Sequence, residues 1–262
     1  MIRQVRAARS FRVVFLLAAA IAALAGPPAL FADDRADQVA RELVQALGGP
    51  AAWEKARQFR FDFVVEREGK RAVEFRHLWD RYTGDYRVHG ADKSGAPYVV
   101  YFNVNTREGT TFLNGRPVEG EEKRKLLEAA YGRFINDSYW LLAPWKVLDP
   151  GVVRTYEGEK TTAEGALCDV IRLSFEGVGL TPKDVYRLWV TRDGRRMVQW
   201  EYLLGGAKEE PTVAFWKDWR KFSGISLALD RVFPVRPVRI FFENVSVSPT
   251  RDDKEFAAPA TR

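Results

Sequence analysis

The side chains with the greatest chemical potential in this sequence are few. His77, His89 and Cys168 are its only histidines and its only cysteine. A structural zinc site would need all three plus a carboxylate, and their separations follow no zinc-ligand spacing. His77 falls on an apolar strand face and His89 beside a turn glycine, so both read as structural. Cys168 sits in the strand-like run ALCDVIRL and reads as a small buried apolar residue. As a single cysteine it forms no intramolecular disulfide. Ser138 lies among aromatic residues, but the chain has no GxSxG elbow and no SxxK pair, and neither histidine is near it in sequence. Asn136-Asp137-Ser138 reads instead as a cap for a helix beginning near Tyr139. Gly177-x-Gly179 lacks the strand–glycine–helix setting of a nucleotide loop. The 35 acidic residues offer pairs, none in a distinctive setting. Asn136-Asp137-Ser138 and Asn244-Val245-Ser246 match the glycosylation sequon, which matters only in a eukaryotic secretory pathway. The sequence therefore assigns no catalytic residue, no metal ligand and no cofactor, and predicts a protein that is not an enzyme.

What it does supply is aromatic surface: 17 Phe, 9 Tyr and 8 Trp. The densest stretch is 132–151, GRFINDSYWLLAPWKVLDPG, where Phe134, Ile135, Tyr139, Trp140, Leu141, Leu142 and Trp145 crowd together. Pro144 and Pro150 interrupt it, so it reads as a short helix or irregular turn after a helix over 119–131. Something must cover a segment this apolar. The chain before and after it supplies candidates. Residues 33–58 read as two helices, with Val39, Leu43, Ala46 and Leu47 on one face, Gly48-Gly49 at the break and Pro50 starting the second. From Phe59 the period changes to two. Phe59, Phe61, Phe63 and Val65 face one side while Arg60, Asp62 and Glu66 face the other, the pattern of a half-buried antiparallel strand. Val73, Phe75, His77 and Trp79 repeat it. About five strands precede the second helical region and six or seven follow, linked by hairpin signals such as Asn114-Gly115 and Asp193-Gly194. Pro234 and Pro237 mark an edge or a strand break. The expected fold is mainly β with α: a strongly curved antiparallel sheet of about 11 strands, an incomplete barrel with helices on its concave face. No linker or repeat divides residues 33–262, so they read as one domain.

Residues 1–32 read as a Sec-type signal peptide. Arg3, Arg6, Arg9 and Arg12 precede the apolar run Val13–Ala25, which is short for a membrane span. Cleavage after Ala25 and after Ala32 both fit, and no cysteine follows to accept a lipid. The expected location is periplasmic or secreted. Without the four arginines the net charge falls from +6 to +2, so the high pI belongs to the leader and gives no support for nucleic-acid binding.

Three pieces spread from about Asp33 to Pro259, ALGGPAAWEKARQFRFDF, FINDSYWLLAPWKVLDPG and FFENVSVSPTRDDKEFAAP, together resemble the LolA-like superfamily of outer-membrane lipoprotein-sorting proteins, and more closely its secreted relatives. The resemblance implies an incomplete barrel closed by helices and an apolar cavity that accepts lipid acyl chains. It also implies a barrel arginine holding a helical lid, which aligns with no single position here. The chain is longer than a minimal carrier, which favours a general lipid-binding role over lipoprotein transport. The expected cavity lining is Phe61, Phe63, Phe75, Trp79, Phe134, Tyr139, Trp140, Leu141, Trp145, Trp189 and Trp200. Expected partners are lipid or lipoprotein acyl chains and an envelope protein, with no nucleic acid, and the chain is expected to be a monomer. The competing expectation is a sensor or structural interaction domain of the same fold with a filled core.

Overall fold

The computed structural model describes residues 34–177, 181, 183–205 and 210–259. The expected leader, 1–32, lies outside the described residues, as do Gly179 and Gly206. The described chain opens with α1 (Asp34–Ala46) and α2 (Gly49–Lys55). Val39, Ala40 and Leu43 form the buried face of α1. The sharp turn between the helices depends on Gly48, at φ 130°, a conformation that side chains disfavour. A Cβ there would also run into the carbonyl oxygen of Gly224. Just beside it, the Ser226 amide donates to the Leu47 carbonyl at 2.7 Å.

The first meander contains β1 (Gln58–Arg67), β2 (Lys70–Asp80), β3 (Asp85–Ala91), β4 (Pro97–Asn103), β5 (Gly109–Leu113) and β6 (Arg116–Val118). Asn114 and Gly115, at φ 52° and 72°, make the tight β5–β6 turn that this dipeptide favours. After α3 (Gly120–Leu142) and one 3-10 turn (Ala143–Trp145) comes the second meander: β7 (Val152–Thr161), β8 (Leu167–Phe175), β9 (Val185–Thr191), β10 (Met197–Leu203), β11 (Thr212–Phe222), β12 (Ile225–Val232) and β13 (Val238–Ser248). The described sheet has 13 strands rather than about 11. The three residues of β6, one of them Pro117, look from sequence like the tail of a turn.

The strand order is β6-β5-β4-β3-β2-β1-β13-β12-β11-β10-β9-β8-β7. Each meander runs between a free edge and a central seam, where β1 pairs antiparallel with β13. Both edges stay open, so the barrel is incomplete, and α3 carries the chain from the β6 edge to the β7 edge across the concave face. Phe59, Phe61 and Phe63 of β1 are buried on that face as their alternation predicts. The core lies between the sheet and α1, α2 and α3. A final short helix, α4 (Asp253–Phe256), docks on β3: Arg87 donates to the Glu255 carbonyl, and the Arg251 guanidinium covers the half-buried Phe256 ring at 4.4 Å.

The stretch 132–151 departs from its sequence reading. The helix does not stop at Tyr131 but continues through Gly132 to Leu142. Ser138 is not a cap; it sits inside α3 and its hydroxyl donates back to the Phe134 carbonyl. Gly132 is tolerated because packing on both sides holds the helix, which local propensity does not register. Pro144 enters only in the following 3-10 turn, where its missing amide costs nothing.

Candidate ligand cavity

Two buried polar contacts tie α3 to the sheet. At mid-helix, Asp137 lies 3.2 Å from His77 Nε2 of β2, both side chains being inaccessible to solvent. The two groups are in contact, and Nε2 and Asp137 Oδ2 miss hydrogen-bond geometry. The other ring nitrogen, Nδ1, is 2.6 Å from the Tyr86 hydroxyl of β3. Burial pushes the Tyr86 phenol well up, and the Asp137 charge adds to it. Asn136 Nδ2 donates to Asp137 at 2.7 Å. His77 thus serves as a structural histidine.

The second contact is Arg231 of β12. It is fully buried, and Ile225, Leu227 and Leu229 precede it on the same strand face. Its Nη1 donates to the carbonyls of Ala228 and Asp230, and its Nη2 donates to the carbonyl of Trp140 in α3 at 2.5 Å. The guanidinium lies over the Trp216 ring, 3.4 Å from its centroid. Burial depresses this guanidinium well below its ordinary range, with Asp230 working in the opposite direction. Arg231 is a buried arginine that bonds a helix over the concave face, a tie that sequence reasoning did not assign. The legible signal was an arginine taking its turn in an apolar alternation.

Beyond these ties α3 stands off from β8, β9 and β10. A cavity of about 370 Å³ opens there, its wall including Tyr139, Trp140, Phe175, Tyr186, Trp200, Tyr202 and Leu204. Its size falls within the usual range for small-molecule sites. Trp200 belongs to this wall, with its ring centroid 4.7 Å from that of Trp140 and 4.9 Å from that of Tyr186. Its indole N–H meets no acceptor among the described residues. At one end the buried Asp184 accepts bonds from Thr181 Oγ1, Tyr186 OH and the Gly205 amide. At the other end Asn136, Trp140 and Tyr202 are shared with a second compartment of about 330 Å³ under Phe63, Val65, Phe233 and Ile240.

The expected lining residues are distributed unevenly. Tyr139, Trp140 and Trp200 border the first compartment and Phe63 the second. Phe61, Phe75, Trp79 and Phe134 pack with protein around His77 and Tyr86: Phe61 stacks on His77, and Trp79 and Tyr86 each meet Phe134 edge-on. Leu141 is core. Trp145 stacks on Trp53 at 5.0 Å and donates to the Ser226 carbonyl, so protein occupies both its face and its edge. Trp189 belongs elsewhere: Leu188 and Tyr186 face α3, and the next residue, Trp189, lies on the opposite face beside Lys160.

The remaining chemistry-bearing groups are spent structurally. Burial raises the Cys168 thiol to about 11, with Asp169 adding to it, and its side chain is inaccessible. Asp169 gathers Arg35 of α1, Tyr156 and Arg195, and Arg195 also pairs with Glu42, so α1 is clamped to the second meander. Burial would raise the Asp169 carboxyl, but Tyr156 and the two arginines outweigh it and hold it low. No three His, Cys, Asp or Glu side chains among the described residues come together as a metal site. No described helix is long and apolar enough to cross a membrane.

No protein-family model matches the chain and no curated protein matches it. Among solved structures it is similar to a DUF1329 family protein from Desulfovibrio piger, with 13% identity and a TM-score of 0.50 over 86% of this chain and 97% of that one. It is also similar to a LolA superfamily protein from Nitrosomonas europaea, with 10% identity and a TM-score of 0.51 over 85% of this chain and 97% of that one. At these identities the likeness is one of architecture, and the open 13-stranded sheet with its transverse helix is a LolA-like fold.

Proposed function

We propose that the chain is a periplasmic or secreted lipid-binding protein that holds an acyl chain between α3 and β8–β10, without covalent chemistry. The observation that carries this reading is the 370 Å³ aromatic cavity beneath α3. Each buried CH₂ contributes roughly 0.8 kcal/mol, so a chain of about a dozen carbons retains several kcal/mol after the costs of association. Arg231 and Asp137 hold α3 in place over the cavity, and α3 serves as its lid. The leader proposed for residues 1–32 delivers the protein to the envelope, where such ligands occur. Native mass spectrometry of protein purified from an envelope extract tests the reading, together with displacement of a fluorescent fatty acid. A bound lipid or a saturable, displaceable signal is expected; the absence of both sinks it.

A second reading, an interaction domain with a filled core, draws on one observation. Around His77, Phe61 and Phe134 the concave face of β1–β3 is packed with side chains. Retention of an envelope protein partner by a Trp140→Ala variant that no longer binds lipid would favour it.

A further inference from the structure

The second compartment is not apolar throughout. Arg67, Arg133 and Arg236 all border it, and they come from three separate elements. Arg67 ends β1, where it pairs with Val238. Arg236 lies in the adjacent β12–β13 connection, and the Glu68 amide donates to the Pro237 carbonyl, which ties the two turns together. Arg133 reaches down from α3, its guanidinium 4.4 Å from the centre of the Phe75 ring. Its one acidic neighbour, Asp137, is 3.6 Å away and already engaged with Asn136 and His77. Among the described residues neither Arg67 nor Arg236 has a carboxylate within ion-pair distance. Three arginines thus border one compartment, and Asp184 borders the adjoining one. One exposed apolar side chain stands at the arginine end: Val235, next to Arg236, is 81% exposed.

We propose that the occupant of this groove is an anionic amphiphile: one acyl or alkyl chain ending in a phosphate or carboxylate. The tail lies along Tyr139, Trp140 and Trp200, and the headgroup sits among Arg67, Arg133 and Arg236. The inference rests on the lipid-binding reading above and adds the charge and orientation of the ligand. Guanidinium groups offer paired donors that match phosphate and carboxylate, and Asp184 disfavours the reversed orientation. The exposed Val235 gives the tail an apolar entry beside the arginines.

Calorimetric titration of the full chain tests this with dodecyl phosphate, dodecanoate, dodecyl maltoside and dodecyltrimethylammonium, each below its micelle concentration, and with inorganic phosphate. The two anionic amphiphiles are expected to bind about tenfold or more tightly than the maltoside, the scale of one added charge-assisted bond. The Arg67→Gln/Arg236→Gln variant changes only exposed side chains and is expected to melt as the parent does. It should erase the anionic margin and leave maltoside binding unchanged. Equal affinities for all four amphiphiles, or a margin that survives in the variant, would overturn the headgroup assignment while leaving the cavity reading intact. Inorganic phosphate binding as tightly as dodecyl phosphate would overturn it too, by showing a free-anion site. If no amphiphile of any charge binds, the cavity reading fails and this inference with it.

Discussion

Arg231 Nη2 donates to the main-chain carbonyl of Trp140, joining a strand at the middle of the sheet to the helix that crosses it. The guanidinium has no carboxylate partner among the described residues; carbonyl oxygens and the Trp216 and Phe242 rings compensate it. Cation–π contacts of this desolvated kind contribute up to about 2 kcal/mol. Arg231→Met leaves these carbonyls, Trp140's among them, without their donor, and an unsatisfied buried acceptor costs about 1–3 kcal/mol. A loss of that size is expected in global stability. The variant should also loosen the end of α3, raising amide exchange at Tyr139–Leu142 about tenfold for the loss of one strong bond. Unchanged exchange there would show that packing alone holds the helix.

Gly132 separates stability from binding. It lies mid-helix at negative φ, and a Cβ added to it meets nothing within 4 Å. Gly132→Ala is expected to stabilise the protein by about 0.5–1 kcal/mol, since alanine loses less conformational freedom in a helix. Gly132→Phe starts from the same open space but projects its ring toward the cavity that Gly132 borders. It is expected to fold and to lose amphiphile binding. A Gly132→Phe variant that binds as the parent does would remove the cavity beneath α3 from consideration.

The clamp on α1 gives a third prediction. Asp169→Asn leaves Arg35 and Arg195 without their shared carboxylate. Breaking one partner of a buried pair costs about 3–5 kcal/mol, and partial exposure of the two arginines brings the expected loss to about 2–3 kcal/mol. Denaturant titration measures it. A loss below about 0.5 kcal/mol would place this network among ordinary surface ion pairs.

Acid lowers stability in two windows with different owners. His89 is depressed from 6.5 to about 4, by burial first and then by Arg87 and Arg76. The folded protein resists a proton that the unfolded chain accepts, so stability falls as pH drops from 6.5 toward 4. For Asp80, burial acts to raise the pKa, but hydrogen bonds from Arg57, the Tyr82 amide and Arg251 prevail and bring it from 3.8 to about 2. Its contribution is present above 3.8 and is lost as pH falls toward 2, on the order of 2 kcal/mol in all. His89→Gln should flatten only the upper window and Asp80→Asn only the lower, as read from urea midpoints between pH 7 and 2.

Period-two alternation made nearly every strand legible, and with it the concave face of β1 and β2. It could not say which side of β9 faces the helix, because Tyr186 and Trp189 make both sides aromatic; register against β10 decides that. The length of α3 was hidden by Gly132 and Pro144, whose local preferences yield to packing. Arg231 was readable as the fourth member of the Ile225, Leu227, Leu229 series, yet an arginine in a strand is ordinarily taken for an outward residue. The cavity had no sequence signal. It is a gap between a helix and a sheet, and depends on how far Asp137 and Arg231 let α3 approach.

The seam between β1 and β13 also dictates an order of events. The first strand to leave the ribosome waits for the last, because Gln58–Arg67 gains its second partner only when Val238–Ser248 has been made. Such distant pairing slows folding and leaves one edge of β1 open until β13 has been made. Until then that edge can pair with another chain, so the time this one seam stays open sets the protein's exposure to aggregation.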